Sequence, residues 1–371
     1  MKILHIITSL EDGGAENTLY KICKYDLDNK STVISLKGTG KYYSLLKKLG
    51  INVYCFDMKY YSIIKLYSLI KLINLLNPDV VQTWLPHGDF LGGIASRLAG
   101  INKVIWNIRY SSLKNRAVKL KTIFLINILS KLSYIVPKKI IVNSKSGLKN
   151  CKDLRYCNYK MTLIHNGYDL LNFKQDKKKN FIRKKFEIDK NAHLIGFVAR
   201  YDRTKDHQNL LNALFLVKNK NVNFFCVLIG QNIKNKILAK EIDKLGLSSY
   251  VKLIGKSKNI FNYLRALDIH VISSKTEGFP NVVAEAMACG TPCVVTNVGD
   301  SALIVGKTGW IVPPNNSIKL ANTIEKAVSE IGKNGWKKRC KQARLRVKNN
   351  FEVSQMIKSY NKIWAKVNNE K

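Results

Sequence analysis

The sequence predicts a parallel α/β fold in two domains. Short apolar runs of the buried-strand type alternate with helix-period segments along most of the chain. The chain opens as strand, glycine-containing loop and helix (2–10, 11–15 and 16–25), the first βα step of a doubly wound sheet. The alternation restarts at Leu194–Val198 after a polar, lysine-rich stretch, and 371 residues suffice for two domains of ordinary size.

Taken in order, the first helix sets Leu19, Ile22 and Cys23 on one face, and Gly13-Gly14 before it lets backbone approach a ligand closely. Strands are then expected at 32–36, 52–56, 80–83 and 139–142, and helices at 42–49, 62–76 and 91–99. Asn143-Ser144 marks a helix start. Trp84-Leu85-Pro86-His87-Gly88-Asp89 follows a strand end, where parallel sheets bind ligands, so His87 is a candidate functional residue. The stretch 174–190 reads as a linker or as the first helix of a second domain, with the boundary near 170. Further strands are expected at 194–198, 224–229, 251–255, 268–273 and 292–296, helices at 208–218, 282–289 and 317–331, and a helical tail after Gly332.

Composition excludes several classes. The apolar and aromatic content is that of a globular chain, and no run reaches the length of about 20 apolar residues that a bilayer span requires. The N-terminal Ile3–Leu10 runs into Glu11-Asp12-Gly13-Gly14 without a small-residue cleavage site, so it reads as a first strand. The eight cysteines are scattered without paired metal-ligand spacing, which points to reduced thiols and no structural metal. The charge stands apart: 63 Lys and Arg against 25 Asp and Glu give +38, a surface suited to an anionic membrane, nucleic acid or a highly anionic substrate. No nucleic-acid-reading motif accompanies it, so no specific nucleic-acid partner is expected. Lys114, Arg116, Lys119, Lys121, Lys131, Lys138 and Lys139, with Arg109 just before them, interleave with Phe124, Leu125, Ile128, Leu129, Leu132 and Tyr134 and no acid, a pattern of membrane-surface contact.

The stretch with most chemistry is Ser274-Lys275-Thr276-Glu277-Gly278-Phe279-Pro280-Asn281-Val282-Val283-Ala284-Glu285-Ala286-Met287-Ala288-Cys289-Gly290-Thr291-Pro292. It reads as strand end, turn and helix, closed by Gly290. Backbone N–H groups near Phe279, Asn281 and Val282 open a helix N-terminus, which favours a phosphate. Glu277 and Glu285 suit sugar hydroxyls, so the stretch reads as a pocket for a ligand with both hydroxyls and phosphate. Upstream, Arg200, Arg203 and Lys205 sit at a strand tip, where such cations could clamp a diphosphate or stand as surface charges, arginine offering a planar fork and lysine a compact charge.

The order EGFPNVVAEAMACGTPCV resembles the donor-site signature of retaining GT-B glycosyltransferases of family 4, the group 1 glycosyltransferases. GGAE at 13–16 resembles their N-terminal loop, and HNGYD at 165–169 the turn leaving their first domain. HGDFLGGIASRLAG with VIWNIRYS resembles an O-antigen and capsule subgroup, in which the matching histidine lies on the acceptor side. The chain departs from the pattern at Gln231-Asn232 and at Ser301-Ala302-Leu303.

The resemblance implies two facing Rossmann-like domains with parallel sheets, spanning 1–170 and 171–345, and a C-terminal helix over 346–371 that crosses back to the first. It implies sugar transfer from a nucleotide-diphosphate sugar to a growing lipid-linked oligosaccharide, without metal or other cofactor, on the inner face of the cytoplasmic membrane. Gly14, Arg200, Lys205, Glu277, Gly278, Phe279, Asn281, Val282 and Glu285 would bind the donor, and His87, Glu277, Arg200 and Lys205 would serve the reaction. The alternatives are a sugar-nucleotide epimerase of the same plan and a basic nucleic-acid-binding protein.

Overall fold

The structure is a computed structural model that describes residues 1–58, 63–109, 120–173, 180–257 and 259–370. The basic side chains Lys114, Arg116 and Lys119 and the lysine-rich stretch 174–179 lie outside the described residues. The chain divides into two compact units, Met1–Gly167 with Val353–Lys371, and Tyr168–Glu352.

In the first unit the strands are β1 (Lys2–Ile7), β2 (Lys30–Ser35), β3 (Asn52–Cys55), β4 (Val80–Trp84), β5 (Val104–Ile108), β6 (Lys139–Val142) and β7 (Met161–Leu163). They form one seven-stranded sheet in the order β3-β2-β1-β4-β5-β6-β7. In the second unit β8 (His193–Val198), β9 (Phe224–Ile229), β10 (Val251–Gly255), β11 (Ile269–Ile272), β12 (Cys293–Thr296) and β13 (Trp310–Val312) form a six-stranded sheet, β10-β9-β8-β11-β12-β13. All these pairings are parallel. Each sheet is thus doubly wound, and its order reverses between β1 and β4 or between β8 and β11. Ligands bind in folds of this kind at the carboxyl ends of the strands beside that reversal. The predicted α/β architecture holds in both units.

Burial explains the strand sequences. Ile3, Leu4, Ile6 and Ile7 of β1 and Leu194, Ile195 and Phe197 of β8 are buried, as central parallel strands covered on both faces require. Strands β5, β7 and β13 were not assigned from sequence, and β7, like β13, has only 3 residues. Trp106-Asn107 breaks the apolar run of β5, and β13 has only 3 residues, too short to show a period. The helix expected over 91–99 occupies Gly93–Leu98 and follows a π-helical turn, Gly88–Gly92.

The tail forms two helices, Trp336–Phe351 and Val353–Asn369, assigned to the second and the first unit respectively. The last helix buries Val353, Met356, Ile357, Tyr360, Trp364 and Val367, a single stripe at helical spacing. Its Trp364 indole N–H donates to Gln82 Oε1 at 2.6 Å, and its ring lies 5.8 Å from that of His5. The helix passes so close to Gly167 that a Cβ there would stand 2.7 Å from Val353 Cα. It is therefore part of the first unit's core. Trp364→Ala is expected to cost about 3–5 kcal/mol of stability, read as a fall in the urea midpoint. A loss below about 1 kcal/mol, the range of ordinary surface changes, would mean the helix is not integral to the core.

Candidate functional site

In the second unit the site grows from the ends of β8 and β11. After β8 the chain turns through Arg203–Lys205, where the Asp202 carboxylate accepts from the Thr204 N–H at 2.8 Å and its hydroxyl at 2.6 Å. Ser273, just past β11, donates from Oγ to the carbonyls of Lys205 and Asp206 at 3.0 and 2.9 Å, and the Lys275 N–H reaches the Thr204 carbonyl at 2.8 Å. These bonds stitch two turns that are far apart in sequence. The result is an ion pair between Lys205 Nζ and Glu277 Oε1 at 2.6 Å, with side chains only 20% and 10% exposed. Ser274 Oγ donates to the same carboxylate oxygen at 2.7 Å.

The backbone on the other side of Glu277 is equally constrained. Gly299 adopts φ 56°, and a Cβ there would lie 2.4 and 2.5 Å from the carbonyl oxygens of Glu277 and Gly278. Only glycine fits, and it lets the Asp300 N–H donate to the Gly278 carbonyl at 2.8 Å. The helix Asn281–Ala288 then begins at Pro280, which has no side chain to cap it. Asn281 Oδ1 accepts from the Tyr168 hydroxyl at 2.6 Å. Val282 and Glu285 are half-buried near the start of that helix, whereas Phe279 turns inward against Phe351 at 5.5 Å between ring centroids. Phe279 can offer a ligand only its backbone. Arg200 is exposed and loosely paired, Nε to Asp202 Oδ2 at 3.3 Å, an interaction that costs little to exchange for another anion. His207, at the end of the same segment, is a core residue: burial pushes its pKa down to about 4, and its ring packs on Phe197 and Tyr201.

The second unit therefore brings Lys205, Glu277 and Gly278 together beside the start of the helix that carries Asn281, Val282 and Glu285. Sequence reasoning missed Ser273 and Ser274, which read only as the end of a strand, and Asp202, whose neighbours carry the more conspicuous charges. Chemically the arrangement offers a cation for a phosphate, a helix N-terminus for the same anion, and carboxylates for hydroxyls.

The first unit holds Gly14 and His87. Gly14 is the first residue of the helix Gly14–Tyr25, and the buried Glu16 carboxyl accepts from Ser9 Oγ at 3.4 Å. Burial raises the Glu16 pKa. His87 follows β4 in a short helical turn, Leu85–His87, and the Gly88 N–H donates to Thr8 Oγ1 at 3.2 Å, joining the exits of β1 and β4. Burial, helped by Lys37, lowers the His87 pKa and favours the neutral imidazole. Asp89, 1% exposed within the π-helical turn, accepts from Thr83 Oγ1 at 2.6 Å, and burial pushes it up to about 8. Arg109 binds Asn107, Thr18, Asn166 and Tyr360 and lies 5.1 Å over the Trp84 ring, locking the same end of the sheet. Among the described residues no cluster of His, Cys, Asp and Glu could hold a metal ion.

Residues 178–344 match the family "Glycosyl transferases group 1". The chain is 26% identical over 288 residues to the UDP-Gal:alpha-D-GlcNAc-diphosphoundecaprenol alpha-1,3-galactosyltransferase of Escherichia coli, covering 75% of this chain and 73% of the relative. It is 24% identical to the capsular polysaccharide biosynthesis glycosyltransferase CapH of Staphylococcus aureus, over 81% and 83% of the two chains. Residues 178–344 carry a group 1 glycosyltransferase domain. The fold of the whole chain matches that of Anabaena Alr3699/HepE in complex with UDP, at a TM-score of 0.86 and 22% identity over 99% and 100% of the chains, which places the fold in the GT-B class. The epimerase and nucleic-acid alternatives draw no support from these similarities.

Asp89 generates a test of the first unit. A carboxyl whose folded pKa is raised keeps its proton in the folded state, so its contribution to stability is complete below the ordinary 3.8 and is lost as pH rises to about 8. Asp89→Asn cannot ionise, so its stability relative to the wild type should increase between pH 5 and pH 8 in urea melts. A difference that does not change with pH would contradict the buried, protonated carboxyl.

Proposed function

We propose that this glycosyltransferase is a retaining, metal-independent hexosyltransferase that moves a sugar from a nucleotide diphosphate to a lipid-linked oligosaccharide during surface polysaccharide synthesis. The observation that carries the donor half is the pairing of Lys205 with Glu277 at the reversal point of the second sheet. Arg200 and Lys205 neutralise the diphosphate leaving group, aided by the N-terminus of the helix Asn281–Ala288 and the backbone of Gly278 and Phe279. Such fixed positive charge can take the role that a metal plays in other transferases. Glu277 accepts hydroxyls of the donor sugar once a phosphate engages Lys205, and Glu285 accepts those of the ribose. Asn281 and Val282 contribute backbone N–H groups to the same site.

Within the first unit, Gly14 and His87 are assigned to substrate, His87 as a neutral imidazole. Retention of configuration follows from attack on the face that the leaving phosphate departs, the leaving oxygen taking the acceptor's proton. The acceptor class is supported by the E. coli relative, whose substrate is an undecaprenol-diphosphate saccharide, and by the CapH relative in capsule synthesis. The donor class is supported by a structural neighbour bound to UDP-glucose. No helix among the described residues is long and apolar enough to cross a membrane, so we place the enzyme peripherally on the inner face of the cytoplasmic membrane.

The test is transfer itself. UDP- and GDP-sugars are offered with polyprenyl-diphosphate saccharides in EDTA, and product anomers are read by NMR. One donor should yield a product of unchanged anomeric configuration, and His87→Ala should lower kcat by about a hundredfold. An inverted product, or a reaction abolished by EDTA, would overturn the proposal.

A further inference from the structure

We propose that the Thr83 and Asp89 side chains form a clamp that fixes where the His87 imidazole stands, which makes Asp89 a positioning residue. The proposal rests on the reading of His87 given above and says how this chain holds that ring.

His87 is carried on an irregular excursion. Strand β4 ends at Trp84, and the next residue, Leu85, takes φ 68°, a left-handed backbone that a bulky side chain seldom adopts. Pro86 and His87 follow, and the chain leaves through the π-helical turn Gly88–Gly92. A left-handed leucine and a π-helical turn persist only where their surroundings hold them, and both cluster at functional sites. The fold itself does not demand them. Strand β1 reaches its own helix, Gly14–Tyr25, through the described residues 8–13 with no positive φ among them.

The restraints act at both ends of the excursion. Thr83 Oγ1 donates to Asp89 Oδ1 at 2.6 Å, so two buried side chains close a loop with His87 inside it. On the near side, the Trp84 indole N–H reaches His5 Nδ1 at 3.4 Å, and Arg109 lies over the Trp84 ring. On the far side, Gly88 and Gly92 press against β1. A Cβ at Gly88 would stand 3.0 Å from the Ile6 carbonyl oxygen, and one at Gly92 would stand 2.8 Å from the Ile6 side chain. His87 is only half-buried, so the backbone beneath it does much of the work of aiming its ring.

Asp89 explains itself poorly as packing. Its polar neighbours are the Thr83 hydroxyl and the Asn107 backbone, and a carboxyl in such surroundings is harder to bury than an apolar side chain. At 1% exposure it cannot meet a substrate, so its effect has to pass through the turn that it closes.

The experiment starts from Thr83→Val, which removes the clamping hydroxyl at nearly constant shape. Thr83→Ser keeps the donor, and Asp89→Asn keeps an acceptor. Leu46→Ala, a buried truncation in the helix Lys41–Lys48, is the control for lost stability. Circular dichroism and urea melts establish that each variant folds. The His87 ring is followed by NMR of protein labelled in its histidines, its signal assigned by its loss in His87→Ala. Values of kcat and KM come from transfer between UDP- or GDP-sugars and polyprenyl-diphosphate saccharides. Thr83→Val should shift the His87 signal and lower kcat by about tenfold with the donor KM nearly unchanged, as displacement of one positioned group does. Thr83→Ser and Asp89→Asn should keep both readings near the wild type, and Leu46→Ala should move neither. An unshifted His87 signal in Thr83→Val, or an equal shift in Leu46→Ala, would overturn the clamp. A shifted signal with full kcat in both Thr83→Val and His87→Ala would support the clamp and refute the use of His87 in transfer. The ring measurement needs no substrate, so the two failures are told apart.

Discussion

The 2.6 Å contact between Lys205 and Glu277 depends on adjacent parallel strands, β8 and β11, whose carboxyl ends open side by side. The residues are 72 apart in sequence, and no local propensity could bring them together. The Ser273 hydroxyl holds the Lys205 turn, Ser274 holds the Glu277 carboxylate, and Gly299 leaves room for the backbone that follows. Each restraint narrows the position of one charged atom. Mutual attraction and the Ser274 hydrogen bond offset part of the cost of taking both charges largely out of water. In the proposed donor site an incoming diphosphate takes over the cation and releases the carboxylate for hydroxyls.

Much of this was legible in the sequence, and for physical reasons. The EGFPNVVAEAMACG stretch combines turn formers, small helix residues and carboxylates in one continuous run, so its chemistry is local. The strands β1, β4, β8, β9 and β11 announce themselves by buried aliphatic residues. Other features were hidden. The helix Lys236–Lys244 buries only Leu238 and Ile242, too few to stand out among its lysines, and β13 is too short to show a period. The inward turn of Phe279 and the service role of Ser274 depend on tertiary neighbours that composition does not reveal.

The excess of basic residues has separable uses. Lys205 and Arg344 are drawn inward, the former to Glu277 and the latter to the carbonyls of Leu170, Phe173 and Ala288. Arg109 is committed to the first unit's own framework. Lys71, Lys121 and Lys131 stay exposed among apolar side chains. Net charge alone does not distinguish these roles; burial and partners do.

The most direct measurement is calorimetric titration of the wild type, Lys205→Met and Glu277→Gln with UDP and UDP-glucose, and with the guanosine pair in parallel. If the ion pair is the donor site, Lys205→Met weakens the nucleotide and its sugar alike. Glu277→Gln then weakens only the sugar nucleotide, leaving the bare diphosphate bound as well as before or better. Equal losses in Glu277→Gln, or full binding by Lys205→Met, would contradict the account.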